Sequence, residues 1–290
     1  KDNGMKVFIG TVTTGACLSV VSQTKADNMF QITPSASAAK VIANDNCFQV
    51  CFTDPNQGTA SADYIASKGL ATKVAVIYNS SDAYSSGIYD NFKAEAAAKG
   101  LDLVASEAFT GDSKQDFSSQ LSKIKASGAE LIFLPIYHQE ASLILSQAKN
   151  AGITAKFFGC DGLDGLLNIE NFDKSLAENV MLFTPFAANA TDETTKKFVA
   201  AYNAKYDPST LNQFAADAYD AVYVVKAAAE KAGVTGDMSV SDICNALKGA
   251  MTEITVDGVT GSGMTWKATG EVNKEPKAVK IENGEYQPMD

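Results

Sequence analysis

KVAVIYNSSDAYSSGIYDNFKAEAAAKGLDLV, residues 73–104, decides the architecture. Lys73-Val74-Ala75-Val76-Ile77-Tyr78 is a short, nearly continuous apolar run, which predicts a parallel strand buried on both faces. From about Tyr84 to Lys99, Ile88, Phe92 and Ala96 recur at spacings of four, which is one face of a helix. Gly100 fits a helix C-cap, and Leu101-Asp102-Leu103-Val104 resumes as strand. Downstream the same unit recurs. A helix from Asp116 to Ala126 places Phe117, Leu121 and Ile124 at helical spacing, and Gly128 caps it before the strand Glu130 to Pro135. A helix from Glu140 to Asn150 ends at Ala151-Gly152, and Lys156-Phe157-Phe158-Gly159 is a strand that runs into Cys160-Asp161-Gly162. Strand–helix alternation with glycine punctuation means an α/β fold with a parallel sheet covered on both faces. The region before residue 52 also reads strand–helix–strand. After Phe183-Thr184-Pro185-Phe186 the texture changes to long helical stretches at about 192–204, 210–232 and 239–249. From about Ile254 short strands and turns follow.

The length of 290 residues, with 46% hydrophobic and 20% charged, suits two domains. A net charge of −10 argues against nucleic acid or an anionic membrane as partner. No apolar run approaches the length of a membrane span. All 24 basic residues are lysine, so the planar fork that favours phosphates and dicarboxylates is absent. The five cysteines leave at least one unpaired within the chain. Cys47 and Cys51 would share a strand face about 13 Å apart, too far to bond to each other. A metal site would need further ligands, and the one histidine, His138, is distant in sequence, so no metal site is expected.

Two strand ends carry the chemistry. Lys6-Val7-Phe8-Ile9-Gly10 runs into Thr11-Val12-Thr13-Thr14-Gly15, and Met29-Phe30-Gln31-Ile32 into Thr33-Pro34-Ser35-Ala36-Ser37. Small hydroxyls at strand-to-helix junctions grip a small anion or zwitterion with hydroxyl and backbone N–H groups. Such a set holds a ligand rather than transforming it. P-loop, dinucleotide and nucleophile-elbow motifs are absent, so no cofactor is expected. A hydrolase triad could use only His138, which reads as a loop histidine. Asp161 and Asp164, three apart, allow acid–base work, but a cap or a ligand counter-ion is the better reading.

Phe8-Ile9-Gly10-Thr11-Val12-Thr13-Thr14-Gly15 followed by Ile32-Thr33-Pro34-Ser35-Ala36-Ser37 resembles a segment of the branched-chain amino acid substrate-binding proteins. These are extracytoplasmic receptors of ABC importers with the type I periplasmic-binding-protein fold. The likeness continues through Asp54-Pro55-Asn56-Gln57-Gly58, Tyr84-Ser85-Ser86-Gly87, Asp116-Phe117, Gly159-Cys160-Asp161-Gly162, Phe214 to Ala221 and Val279 to Gly284, essentially the whole chain. It implies two lobes, each a doubly wound parallel sheet flanked by helices, closing on a ligand as a Venus flytrap. Lobe one is then 1–52 plus 187–267, and lobe two 53–186 plus 268–290. Family members begin with a further strand–helix–strand unit, so roughly 60 residues are expected to be missing upstream of Lys6. The shortened lobe implies a tendency to self-associate.

The resemblance also implies residue roles. Thr14, Ser35 and Ser37, with Thr13 beside them, would hold the carboxylate of an amino acid, aided by the N–H groups of a helix starting near Gly15. Asp161 would take the ammonium, and Tyr84, Tyr137 and Phe214 would wall the side chain. Aspartate at 161 stands where glutamate is common in members that bind aliphatic ligands, and Ser35 replaces a frequent alanine. The expected protein is therefore an amino-acid receptor, not an enzyme, made as a signal-peptide or lipoprotein precursor and docking on ABC permease subunits. A ligand-sensing domain of a regulator with the same fold is the alternative. An enzyme using His138 is the third reading.

Overall fold

The computed structural model describes residues 3–289. Its elements begin with β1 (Val7–Ile9), α1 (Thr14–Leu18), α2 (Val21–Ala26), β2 (Phe30–Thr33) and β3 (Cys47–Gln49). Next come α3 (Asp54–Ser67), β4 (Lys73–Asn79), α4 (Ala83–Ala98), β5 (Asp102–Phe109), α5 (Ser118–Ser127), β6 (Leu131–Leu134), α6 (His138–Asn150), β7 (Lys156–Gly159) and β8 (Met181–Thr184). The chain closes with α7 (Glu193–Asn203), α8 (Gln213–Ala232), α9 (Val240–Met251), β9 (Lys277–Glu282) and β10 (Glu285–Pro288).

Contacts divide these elements into two compact units. Unit one comprises Lys1–Thr53, Asp192–Phe198 and Phe214–Glu275, and unit two comprises Asp54–Thr191, Val199–Gln213 and Pro276–Asp290. The stretch 268–275 groups with unit one because the Gly270 carbonyl accepts the Gln49 amide (3.0 Å) and Trp266 bridges Val272. The stretch 199–213 groups with unit two, where the Leu211 carbonyl accepts the Asn168 side-chain amide (2.9 Å).

Unit two is built on a seven-stranded sheet of order β10-β9-β8-β7-β6-β4-β5. Strands β5, β4, β6, β7 and β8 are parallel, whereas β9 and β10 pair antiparallel at one edge. The apolar run of β4 is shared between the two faces. Ala75 and Ile77 join Ile132 and Leu134 in one core with α5 and α6, and Val74 and Val76 join Leu131 and Phe133 in another with α3 and α4. Period-two alternation of side chains within an all-apolar strand feeds both cores at once. The strand order reverses between β4 and β6, and the carboxyl ends beside such a reversal are where α/β sheets bind ligands.

Unit one holds three parallel strands in the order β1-β2-β3 among the described residues. Phe30, Ile32 and Phe48 on one face pack on α8 and α9 through Ala221, Val224, Ile243 and Leu247. The other face carries Gln31 and Cys47, Cα partners across β2 and β3, and is covered by α1.

Helices α3 and α4 touch through Gly58. A Cβ there would stand 2.5 Å from the Ile88 carbonyl oxygen and 2.8 Å from the Phe92 nitrogen. Backbone cannot yield as a flexible side chain can, so Gly58→Ala is expected to cost about 1–3 kcal/mol, read as a lower urea midpoint with unchanged slope. An unaltered midpoint would show that the two helices tolerate separation.

Candidate functional site

The loops that follow β4, β6 and β7 in unit two deliver Tyr84, Tyr137 and Asp161 to the same end of the sheet. Asp82 caps α4 by accepting the Tyr84 amide (2.8 Å), which turns the Tyr84 side chain inward to 2% exposure. Its hydroxyl donates to the Asp161 carboxylate (2.7 Å) and accepts the Gly162 amide (2.9 Å). Gly162 is required for this closeness, since a Cβ would lie 2.6 Å from both the Tyr84 hydroxyl and the Ile136 carbonyl. Tyr137 stacks on Tyr84 with centroids 4.8 Å apart and remains half-buried.

Two residues that sequence reasoning did not single out fix the aspartate's backbone. The Gln57 side-chain carbonyl accepts the Asp161 amide (3.1 Å), and the Gln213 side-chain amide donates to the Asp161 carbonyl (2.6 Å). Gln213 is held in turn by Asp164, whose carboxylate accepts its backbone N–H (3.0 Å) and the Thr184 hydroxyl (3.2 Å). Asp164 therefore acts as a support. Gln57 lies in the quoted stretch Asp54 to Gly58, so a polar residue on the inner face of α3 was the available signal. Gln213 directly precedes Phe214 and gave none.

Burial and nearby carboxylates act on the hydroxyls here. Burial, then the charge of Asp161, pushes the Tyr84 hydroxyl well above the ordinary tyrosine range, so it stays a donor. Tyr137 is raised by burial and then by the charges of Asp82, Asp161, Asp54 and Glu140. Of these carboxylates, Glu140 is paired with Lys114 at 3.4 Å. His138 opens α6 half-buried, and burial lowers its imidazole below the usual value.

In unit one the strand-end hydroxyls differ sharply from one another. Thr13 is exposed at the N-cap position of α1 and makes no side-chain cap bond. The Thr14 hydroxyl oxygen is buried and accepts the amides of Ser37 and Ala38, each at 3.3 Å. The Ser37 hydroxyl is buried with no hydrogen-bond partner among the described residues. The Ser35 hydroxyl donates to Asp217 (3.1 Å), so it offers lone pairs, not a proton. Behind it, Asp217 is paired with Lys274 (3.3 Å), both all but inaccessible, and Lys274 also donates to Thr260 (2.5 Å). Phe214, near the start of α8, is half-buried. The expected helix near Gly15 begins at Thr14 and has only five residues. That is too few aligned peptides for a sizeable macrodipole, so individual hydroxyl and amide groups carry any anion binding.

The sequence model of a family described as periplasmic binding protein matches residues 1–285. A Leu/Ile/Val-binding protein homolog of Brucella melitensis is 33% identical over 239 residues, 81% of this chain and 63% of that protein. The Leu/Ile/Val-binding protein BraC3 of Rhizobium johnstonii is 30% identical over 273 residues, 93% of this chain and 72% of its own length. The chain thus spans about two thirds of the length of these relatives. Among solved structures, a branched-chain amino acid transporter substrate-binding protein of Streptococcus pneumoniae, in complex with isoleucine, superposes with a TM-score of 0.84. It is 27% identical and covers 99% of this chain and 79% of its own. A leucine-binding protein of Thermotoga maritima reaches 0.88 at 24% identity, over 100% of this chain and 80% of its own, and shares the fold.

Two outcomes follow from the supporting groups. Burial holds the Asp164 carboxyl up at about 6. Its protonated form therefore favours the fold below about pH 4, and that contribution is lost as pH rises through about 6. Urea titrations should show the wild type losing roughly 3 kcal/mol relative to Asp164→Asn between pH 4 and pH 7; parallel curves would refute the raised value. Lys274→Met leaves Asp217 buried without its cation and should cost about 3–5 kcal/mol, much of it recovered in Lys274→Met/Asp217→Leu. The double-mutant cycle measures this coupling.

Proposed function

Because the chain belongs to the periplasmic binding protein family, we propose that it captures a free amino acid, unchanged, for delivery to an ABC importer outside the cytoplasm. The observation that carries this reading is the desolvated carboxylate of Asp161, oriented by the Tyr84 hydroxyl and set among further carboxylates. An ammonium group satisfies such a site through a charge-assisted hydrogen bond. On unit one, the unpartnered hydroxyl of Ser37 donates to the ligand carboxylate, with Thr13 and Thr14 as neighbours. Ser35, its proton committed to Asp217, serves as an acceptor instead. Tyr137 supplies an aromatic surface, and Phe214 a second one, for the ligand's side chain.

An aliphatic or small polar amino acid is the ligand class. The names of the relatives, Leu/Ile/Val-binding proteins, and the isoleucine held by the Streptococcus protein support it. The ligand would favour its bound state through differential affinity, and permease subunits would read that state. No bond is made or broken in this cycle. Among the described residues no helix is long and apolar enough to cross a membrane.

Calorimetry with the twenty amino acids on the purified chain tests the reading, with heat expected from leucine, isoleucine or valine. Asp161→Ala should weaken the best ligand by about 30-fold or more, some 2 kcal/mol, because the bound ammonium loses its counter-ion. Circular dichroism checks that the variant folds, and Asp161→Asn, which keeps the shape, should weaken binding as well. Absence of heat from every amino acid, or wild-type affinity in both variants, overturns the proposal.

A further inference from the structure

On unit one, Gln31 in β2 and Cys47 in β3 are Cα partners in the parallel ladder, so their side chains leave the sheet on the same face about 5 Å apart. Cys17 on α1 meets that face from above. The Gln31 side-chain amide donates to the Cys17 sulfur at 3.3 Å, while Gln31 itself is pinned by the Gly10 carbonyl (2.9 Å) and the Thr24 hydroxyl (2.6 Å). Cys17 and Cys47 lie in one buried apolar cluster with Val21, Ala36, Ala38 and Val41, where the Cys47 thiol donates to the Phe48 carbonyl at 4.0 Å. None of the other three cysteines competes for this place. Cys51 is four residues along from Cys47, Cys160 belongs to unit two, and Cys244 sits in the core on the opposite face of the sheet.

We propose that Cys17 and Cys47 are a disulfide pair, closed in an oxidising compartment and tying α1, with Thr13 and Thr14, to β3. Only the compartment rests on the receptor reading; the sulfur chemistry stands on unit one alone. The oxidant is a low-molecular-weight or protein disulfide. The Cys17 thiolate attacks one of its sulfurs and expels the other as a thiolate, forming a mixed disulfide. The Cys47 thiolate then attacks the Cys17 sulfur and expels the second thiolate. Two protein thiols are oxidised, the reagent disulfide is reduced to two thiols, and the two protons pass to the departing groups. Both sulfurs are buried, so exchange occurs while α1 is lifted from the sheet or before the chain has finished folding.

Glutathione disulfide is the probe, applied to the native chain and during refolding from urea in a glutathione redox buffer. Free thiols, counted in denaturant, should fall from five to three. Cleavage after Lys25 and Lys40 places Cys17 and Cys47 on separate peptides, which should be recovered as one linked species. Fragmentation should locate the bond at Cys47 and not Cys51. The oxidised chain should melt several degrees higher, since the bond closes a loop of roughly 30 residues, and dithiothreitol should reverse the shift. In Cys47→Ala, Cys17 should be trapped as a stable glutathione adduct. Five thiols remaining under both conditions, or a bond joining any other pair, overturns the assignment. None of these readouts requires an amino-acid ligand, so a failure here is separate from a failure to bind one.

Discussion

A carboxylate removed from water is costly unless its oxygens and the backbone that carries it are held, and Asp161 is held on three sides. Tyr84 donates to the carboxylate, Gln57 accepts from the amide, and Gln213 donates to the carbonyl. Each of these depends on another element. The Tyr84 ring is turned inward by the cap on α4, the approach of Gly162 allows its hydroxyl to close on the loop, and Asp164 with Thr184 fixes Gln213. The parallel sheet makes this convergence possible, because the loops after β4, β6 and β7 all leave from one edge. A chain with antiparallel neighbours at these positions would send alternate loops to opposite ends.

Unit one applies the same requirement to a different charge balance. Lys274 and Asp217 are buried as a pair, and the pair sets the direction of the Ser35 hydroxyl bond. Two serines separated by one residue are thereby given opposite polarities, Ser35 as acceptor and Ser37 as an uncommitted donor.

Much of the fold was legible because its signals are local. The apolar run at 73–78 and the four-residue spacing of Ile88, Phe92 and Ala96 follow from the two periods of strand and helix. The resemblance carried by Phe8 to Gly15 and Ile32 to Ser37 drew attention to Thr14 and Ser37, which the structure joins through one hydrogen bond. Tyr84, Tyr137 and Asp161 were named from the same resemblance and lie together in unit two. Gln57 and Gln213 escaped notice because a glutamine in a helix carries no local mark of burial. The brevity of α1 also escaped, since helix length there depends on how the turn packs on β2 and not on propensity alone. The nearness of Cys17 to Cys47 was equally hidden, because ladder register is a long-range property.

By itself, then, the sequence determined a parallel α/β architecture and the strand ends that carry hydroxyls. Those properties reside in periodicity and residue type, which act over a few neighbouring positions. Tertiary structure alone decided which groups are committed and which are open. Ser35 gives its proton to Asp217, 182 residues away, while Ser37 gives its proton to nothing among the described residues. A hydrogen bond's direction depends on the partner that folding brings within 3 Å or so, and no local pattern encodes a partner so remote.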